Sequence, residues 1–252
     1  TGYPTASWLA DGFVELLDSQ SHTVDFVRFG QSAQPPSTSS GWSGSSAPAI
    51  PSNASSYGVS LARPYPISAN TRSASDWVVM NYATPGGRND VPATAVDNDN
   101  DGIPDSAEQA GSTFAGLDLY TMGARPNQVD IFVEIDRMTS ADPGIIPRQE
   151  ALLKVSNAFV GKSLGGFPIR LHFDAGDLYA SAFNPTLFNL GQTHALVPYE
   201  RCISVDDPST CSSNISDRKW VHDWKPEFSD LRRRPIFHYV LFANSLRADG
   251  TT

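Results

Sequence analysis

Cysteine is nearly absent from this chain, with only Cys202 and Cys211 in 252 residues. That excludes a dense disulfide framework and a four-cysteine zinc site. Histidine is also scarce. The five present, His22, His172, His194, His222 and His238, include no pair four residues apart. One helix face therefore cannot offer two imidazoles to a metal in the His-Glu-x-x-His manner. No apolar run approaches the roughly 20 residues of a membrane span. Positive charge is in deficit: 18 Lys and Arg against 27 Asp and Glu give a net charge of −9. With a pI near 4.9, this argues against nucleic acid or an anionic membrane as partner.

What is present suits a folded extracellular protein. The apolar content of 40% is enough for real cores, and the length suits two modest domains. Few lysines, with much Ser, Thr, Asn, Gly and Pro, point to secretion. Cys202 and Cys211, with Asp206-Asp207-Pro208 between them, can close a disulfide in an oxidising compartment or stand as free thiols. A basic start followed by an apolar stretch, the mark of a signal peptide, is missing. Thr1-Gly2-Tyr3-Pro4 reads as the middle of a domain, and Arg247 to Thr252 reads as a loop after a strongly apolar strand. The expectation is a piece of a longer secreted protein.

The most informative stretch is Asp97-Asn98-Asp99-Asn100-Asp101-Gly102-Ile103-Pro104-Asp105-Ser106-Ala107-Glu108. Its aspartates fall at positions 1, 3 and 5 of the twelve-residue calcium loop, and Gly102 at position 6 serves the sharp turn. Ile103 at 7 can offer its carbonyl, Asp105 stands at 9, and Glu108 at 12 can bind through both oxygens. Acidic side chains this close repel one another unless a cation is present. The expected metal set is Asp97, Asp99, Asp101, Ile103, Asp105 and Glu108, with calcium as the cofactor.

Before this loop the chain reads as β-rich. Gly12–Leu17 and Thr23–Phe29 alternate as strands around the Asp18-Ser19-Gln20-Ser21 turn, a hairpin with Val24, Phe26 and the stem of Arg28 on one face. His22 reads as a solvent-facing turn residue, and no catalytic constellation is present. Residues 31–56 are crowded with Ser and Pro, yet the aromatics Trp42, Tyr57 and Trp77 favour an ordered, loop-rich domain. Val14-Glu15-Leu16-Leu17-Asp18, Val24 to Gly30, Gly41-Trp42-Ser43-Gly44, Ser60-Leu61-Ala62-Arg63, Ser75-Asp76-Trp77 and Ala83 to Asn89 follow one another in an order that resembles the second half of the lamin-tail domain of secreted bacterial proteins. The resemblance implies a partial immunoglobulin-like β-sandwich over residues 1–90, serving as an accessory or binding module.

After the loop the pattern becomes strand, helix, strand. Val129–Met138 alternates, with Ile131, Val133 and Ile135 on one face and Phe132, Glu134 and Asp136 on the other. A helix is expected from Pro147, with Leu152, Val155 and Phe159 on its apolar face and Gly161, Gly165 and Gly166 ending it. Ile169–Phe173 is the next strand, completing a right-handed βαβ unit. Pro226 to Arg233 reads as a short helix with Trp220 and Trp224 packing nearby. Ile236–Ala243 is a near-continuous apolar run, expected as the central, doubly covered strand.

Asp130 to Met138, Ile169 to Gly176 and Arg233 to Ala243 resemble the matching segments of secreted bacterial zinc metallopeptidases of zincin type. Gly102-Ile103-Pro104-Asp105, Gly116-Leu117-Asp118-Leu119 and Met122-Gly123-Ala124 fit as well; Arg137 departs, standing where a tryptophan is common. In that family a helix carrying His-Glu-x-x-His, then a glycine and a third histidine, follows these strands. The glutamate there activates the metal-bound water. No such motif occurs in residues 1–252, so the resemblance transfers no catalytic residue.

Other constellations read more plainly as structure. His172 and His238 lie on strands that can be neighbours, but no third metal ligand is indicated. Glu134 and Asp136 share a strand face, where carboxylates more often hold a backbone or a basic residue than act as an acid–base pair. Arg232-Arg233-Arg234 is expected to pair with carboxylates. The cysteines have no base nearby in sequence.

The expected architecture is mixed: a lamin-tail-like β-sandwich over 1–90, a calcium-binding linker over 91–128, and an α/β (strand-helix-strand) zincin-like sheet subdomain over 129–252. The expected function is a portion of a secreted, calcium-stabilised zinc metallopeptidase. Zinc and a polypeptide substrate belong only to a longer form, and this chain alone is expected to be inactive. The alternative is a non-catalytic extracellular calcium-binding adhesion or surface-binding protein.

Overall fold

The computed structural model describes residues 11–38, 41–51, 58–67, 70–193, 195–200, 203, 225 and 227–243. The expectations for Tyr57, His194, Cys202, Cys211, Trp220, His222 and Trp224 fall outside these residues. The chain forms two compact units. The first comprises residues 1–96 with Phe114–Gly116, and the second residues 97–113 with 117–252. No helix among the described residues is long and apolar enough to cross a membrane.

In the first unit, β1 (Gly12–Leu17) and β2 (Thr23–Phe29) pair antiparallel, with Val14 opposite Val27. Asp18 shapes the turn by accepting from the N–H of Gln20 (2.9 Å) and of His22 (2.8 Å). The His22 side chain is largely exposed. Val24 is half-exposed, while Val27 and Phe29 are buried against Ala47 with Trp42, Leu61 and Trp77 packed around them. Phe26, on the opposite side of the strand, stacks on Phe13 and meets the edge of Trp42. Both faces of β2 are thus partly covered, which a single-face alternation cannot foresee. β3 (Ser60–Ala62) and β4 (Val78–Met80) form a second antiparallel pair. The Arg63 guanidinium joins β2 through both Asp25 oxygens (2.9 and 2.8 Å) and lies over Trp77.

The second unit begins with the acidic loop and a short helix, α1 (Leu119–Met122). It continues through β5 (Val129–Met138), α2 (Gln149–Phe159), β6 (Ser163–Leu164), β7 (Phe167–Asp174), β8 (Leu196–Val197) and β9 (Phe237–Phe242). These strands make a five-stranded mixed sheet. β5 pairs parallel with β7, β8 and β9, and β6 pairs antiparallel with β7. The strand-helix-strand expectation therefore holds over β5, α2 and β7. The fold is sheet-rich and mixed α/β.

Three expectations change. The central strand is β5, not the 236–243 run. β5 is bonded on both sides and buried nearly throughout, whereas β9 pairs with β5 alone among the described residues and is largely half-exposed. An apolar run marks a buried strand only when its neighbours supply cover, and sequence cannot see the neighbours. His172 and His238 are separated rather than adjacent. Each lies on a strand flanking β5, opposite Phe132 and Val133 respectively. Finally, α2 begins at Gln149 rather than Pro147, and of its expected apolar stripe only Leu152 is buried. Val155 stays 46% exposed, because one short helix covers one part of a sheet.

The register of the parallel strands fixes what shares each face of β5. Ile131, Val133 and Ile135 face α2 and pack with Leu152, Phe173 and Phe188. The opposite face carries Asp130, Phe132, Glu134 and Asp136, beside His172 and Asp174 of β7 and Phe237 and Tyr239 of β9. Asp130, Glu134, Asp136 and Asp174 are all at least 96% buried. A buried charge costs several kcal/mol unless it is met, so this face must be satisfied group by group.

Candidate metal centre

The acidic loop folds around its own carboxylates. Asp97 Oδ1 accepts from Asn100 N (2.7 Å) and Oδ2 from Gly102 N (2.8 Å). Gly102 lies at φ +95, the left-handed region where glycine carries no steric penalty. Asp101 Oδ1 accepts from Ile103 N (2.8 Å), and its Oδ2 accepts from the N–H of Asp130 on β5 (2.7 Å). The Ile103 side chain is buried and anchors the turn. Residues Asp105–Glu108 then form one 3-10 turn, which carries Glu108 into the interior.

The carboxylate oxygens of Asp97, Asp99 and Asp101 lie within 4.8 Å of one another, and so do those of Asp101, Glu108 and Asp130. Among the described residues these are the groupings of metal-ligating side chains close enough to hold an ion, and they share Asp101. Asp105 is not brought into either. Its oxygens accept from the backbone and side-chain amides of Asn98, bracing the loop from outside. Asp130 was not among the residues expected at the site. The signal for it was present, however: an aspartate at the second residue of a buried strand needs a partner.

Burial dominates the electrostatics. It pushes Asp99 up to about 6, with the charge of Asp97 adding to it. It pushes Asp101 up to about 7, against the pull of the Asp130 and Ile103 N–H donors. Glu108 is pushed up to about 9 by burial and then by the charges of Asp101, Asp99 and Asp130. Glu108 is fully buried, and neither of its oxygens has a hydrogen-bond partner. Buried polar atoms are otherwise almost always paired. Oxygen-rich and converging, with no donor to the buried Glu108 carboxylate, this cluster of acids can hold a metal ion.

The rest of the polar face of β5 is met mostly from within the chain, though Asp136 Oδ1 is buried without a hydrogen-bond partner. Arg233, 3% exposed, donates to Glu134 Oε2 (2.9 Å), Asp174 Oδ2 (2.6 Å) and Leu190 O (2.8 Å). Its guanidinium lies 4.3 Å from the Phe237 ring centroid. Asp174 also accepts from the N–H groups of Gly176, Leu190 and Gln192. The Tyr239 hydroxyl donates to Asp136 Oδ2 (2.7 Å), while burial pushes Asp136 up to about 7. Arg232 pairs with Asp230. Arg232 and Arg233 thus meet carboxylates, and Glu134 and Asp136 are held by Arg233 and Tyr239 respectively. A small pocket of about 120 Å³ opens beside them, lined in part by Glu134, Gln192, Phe228 and Arg233.

Neither β-strand histidine belongs to a metal-ligating group. The His172 ring stacks on Phe132 and places Nε2 2.6 Å from Asp130 Oδ1. Comparison with models of protein families, with curated proteins and with solved structures finds no match to this chain.

Proposed function

We propose that this chain is the calcium-stabilised portion of a secreted zinc metallopeptidase of zincin type, acting on polypeptides. The observation that carries the reading is one of placement. Three segments that resemble the family when read separately, Asp130 to Met138, Ile169 to Gly176 and Arg233 to Ala243, fall on or against β5, β7 and β9, strands paired side by side in one sheet. The calcium part rests on different ground. The twelve-residue spacing and the orphaned, fully buried Glu108 carboxylate suit a hard cation that takes six to eight oxygens. Magnesium demands a near-ideal octahedron and usually keeps several waters, which a buried carboxylate cluster serves poorly.

The zinc ligands of this reading lie outside residues 1–252, which contain no two histidines four apart. Zinc would supply a bound water of lowered pKa for attack on the peptide carbonyl. The residues present would hold the sheet against which a ligand-bearing helix packs. In the same reading residues 1–90 form a lamin-tail-like module, and Cys202 and Cys211 join in an oxidising compartment.

The test compares two lengths of chain. Residues 1–252 with added Zn²⁺ are expected to leave casein intact. A form extended through a downstream His-Glu-x-x-His is expected to cleave it in a chelator-sensitive way. Turnover by residues 1–252 alone would place a site the reading lacks. An extended form that binds zinc without cleaving peptides would favour a non-catalytic adhesion or surface-binding protein.

A further inference from the structure

We propose that the cation is held jointly by loop and sheet, with Asp130 of β5 as a ligand beyond the loop and His172 of β7 as the residue that positions it. The inference rests on the reading of the acidic cluster as a divalent-cation site. Asp130 is 4% exposed, and its oxygens converge with those of Asp101 and Glu108 within 4.8 Å. The same residue gives its backbone N–H to Asp101 Oδ2 at 2.7 Å, so loop and strand already meet there.

The need for a cation at this end of the cluster comes from Glu108. Both of its oxygens are buried and accept nothing, and the side-chain donors around Asp130 are engaged elsewhere. The Arg125 guanidinium lies over the Tyr120 ring and donates to the carbonyls of Tyr120 and Ala124. Gln128 Nε2 and His172 Nε2 both reach Asp130 Oδ1, each at 2.6 Å.

Asp130 is held as a ligand should be. A carboxylate offers about four lone-pair directions. Three are taken, by Gln128, by His172 and by the N–H of Arg125 on Oδ2 (2.8 Å), which leaves one free. A carboxylate can only accept, so His172 must carry its proton on Nε2. Metal ligands fixed from behind in this way are stiffer and better aligned, and loss of such a support typically costs 10–100-fold in affinity. Gly123 makes the arrangement possible: a Cβ there would sit 2.5 Å from the His172 ring. The consequence is that cation binding fastens the loop to the central strand of the sheet, not merely to itself.

The loop spacing alone and this geometry rank two aspartates in opposite order. Calcium binding is measured by titration calorimetry on wild type, Asp130→Asn and Asp105→Asn, with circular dichroism checking the fold. The expected result is a loss of about tenfold or more for Asp130→Asn and a clearly smaller one for Asp105→Asn. Unchanged affinity in folded Asp130→Asn, with a large loss in Asp105→Asn, would overturn the proposal while leaving calcium binding intact. A wild type that binds no calcium would instead remove the cation reading on which the proposal rests. If Asp130→Asn does not fold, the wild type decides. Mn²⁺ at the site is expected to broaden the His172 ring resonances, identified by their loss in His172→Gln, and calcium to restore them. Ring signals unaffected by bound Mn²⁺ would overturn the assignment.

Discussion

Replacing Arg233 with methionine removes the charge on which the polar face of β5 depends. The guanidinium serves Glu134, Asp174 and the Leu190 carbonyl at once, 3% exposed. Methionine keeps much of the stem's volume, so the loss is electrostatic. Removing one partner of a buried ion pair typically costs about 3–5 kcal/mol. The cost is unevenly shared. Asp174 retains the N–H donors of Gly176, Leu190 and Gln192, so the uncompensated charge is mainly that of Glu134. Burial already raises the Glu134 pKa against the pull of Arg233, and the substitution lets it rise further. The penalty is therefore expected to shrink at low pH, where Glu134 is protonated, and to grow towards pH 8. At about 2–4 °C per kcal/mol for a domain of this size, the melting temperature of the second unit should fall by about 10 °C at pH 7.5. Adding Glu134→Gln should restore a good part of it; adding Asp174→Asn should restore little. Scanning calorimetry at several pH values makes the comparison. A loss below about 1 kcal/mol, or one independent of pH and unrelieved by Glu134→Gln, would refute this account of the network.

Asp136 gives a second pH effect. Its folded pKa, about 7, stands above its ordinary value of 3.8 because of burial, so the folded state holds a proton that the unfolded chain releases. Stability from this group is present below about pH 4 and is lost as pH rises through about 7. Across that window wild type should lose stability relative to Asp136→Asn by a few kcal/mol, at about 1.4 kcal/mol for each pH unit between the unfolded and folded values, as read by urea denaturation. Gly123→Ala should destabilise the second unit by about 1–3 kcal/mol, because its backbone sits at φ +124 and a Cβ would strike His172; a neutral outcome in thermal melts would contradict that packing. Protein exported to an oxidising compartment should carry a Cys202–Cys211 disulfide, worth about 2–3 kcal/mol by the chain-entropy argument. Two alkylatable thiols in its mass spectrum would refute it.

The acidic loop was legible in sequence because its chemistry is local: twelve consecutive residues fix both the turn and most of the oxygens. The β1–β2 hairpin and the β5–α2–β7 unit were legible for a similar reason, since periodicity is a property of one segment. What stayed hidden depends on distant partners. Glu134 is met by Arg233 and Asp136 by Tyr239, each from about 100 positions away, and only these contacts allow both faces of β5 to be buried. Asp130 could be seen as a polar residue in an apolar strand, but its convergence with Glu108 required the fold. The half-exposure of β9 was masked by its apolar composition, and the exposure of Val155 by its helical pattern.

The central claim is that the second unit is organised around a bound calcium ion, and calcium's effect on the stability of chelator-stripped protein tests it most directly. For a weak site with a Kd of about 10⁻⁴ M, calcium at about 100 times Kd should add about 2.7 kcal/mol. That is a rise of roughly 5–10 °C in the melting of the second unit, lost in Asp101→Ala. An unchanged melting temperature across the calcium titration, or an equal rise in Asp101→Ala, would contradict it.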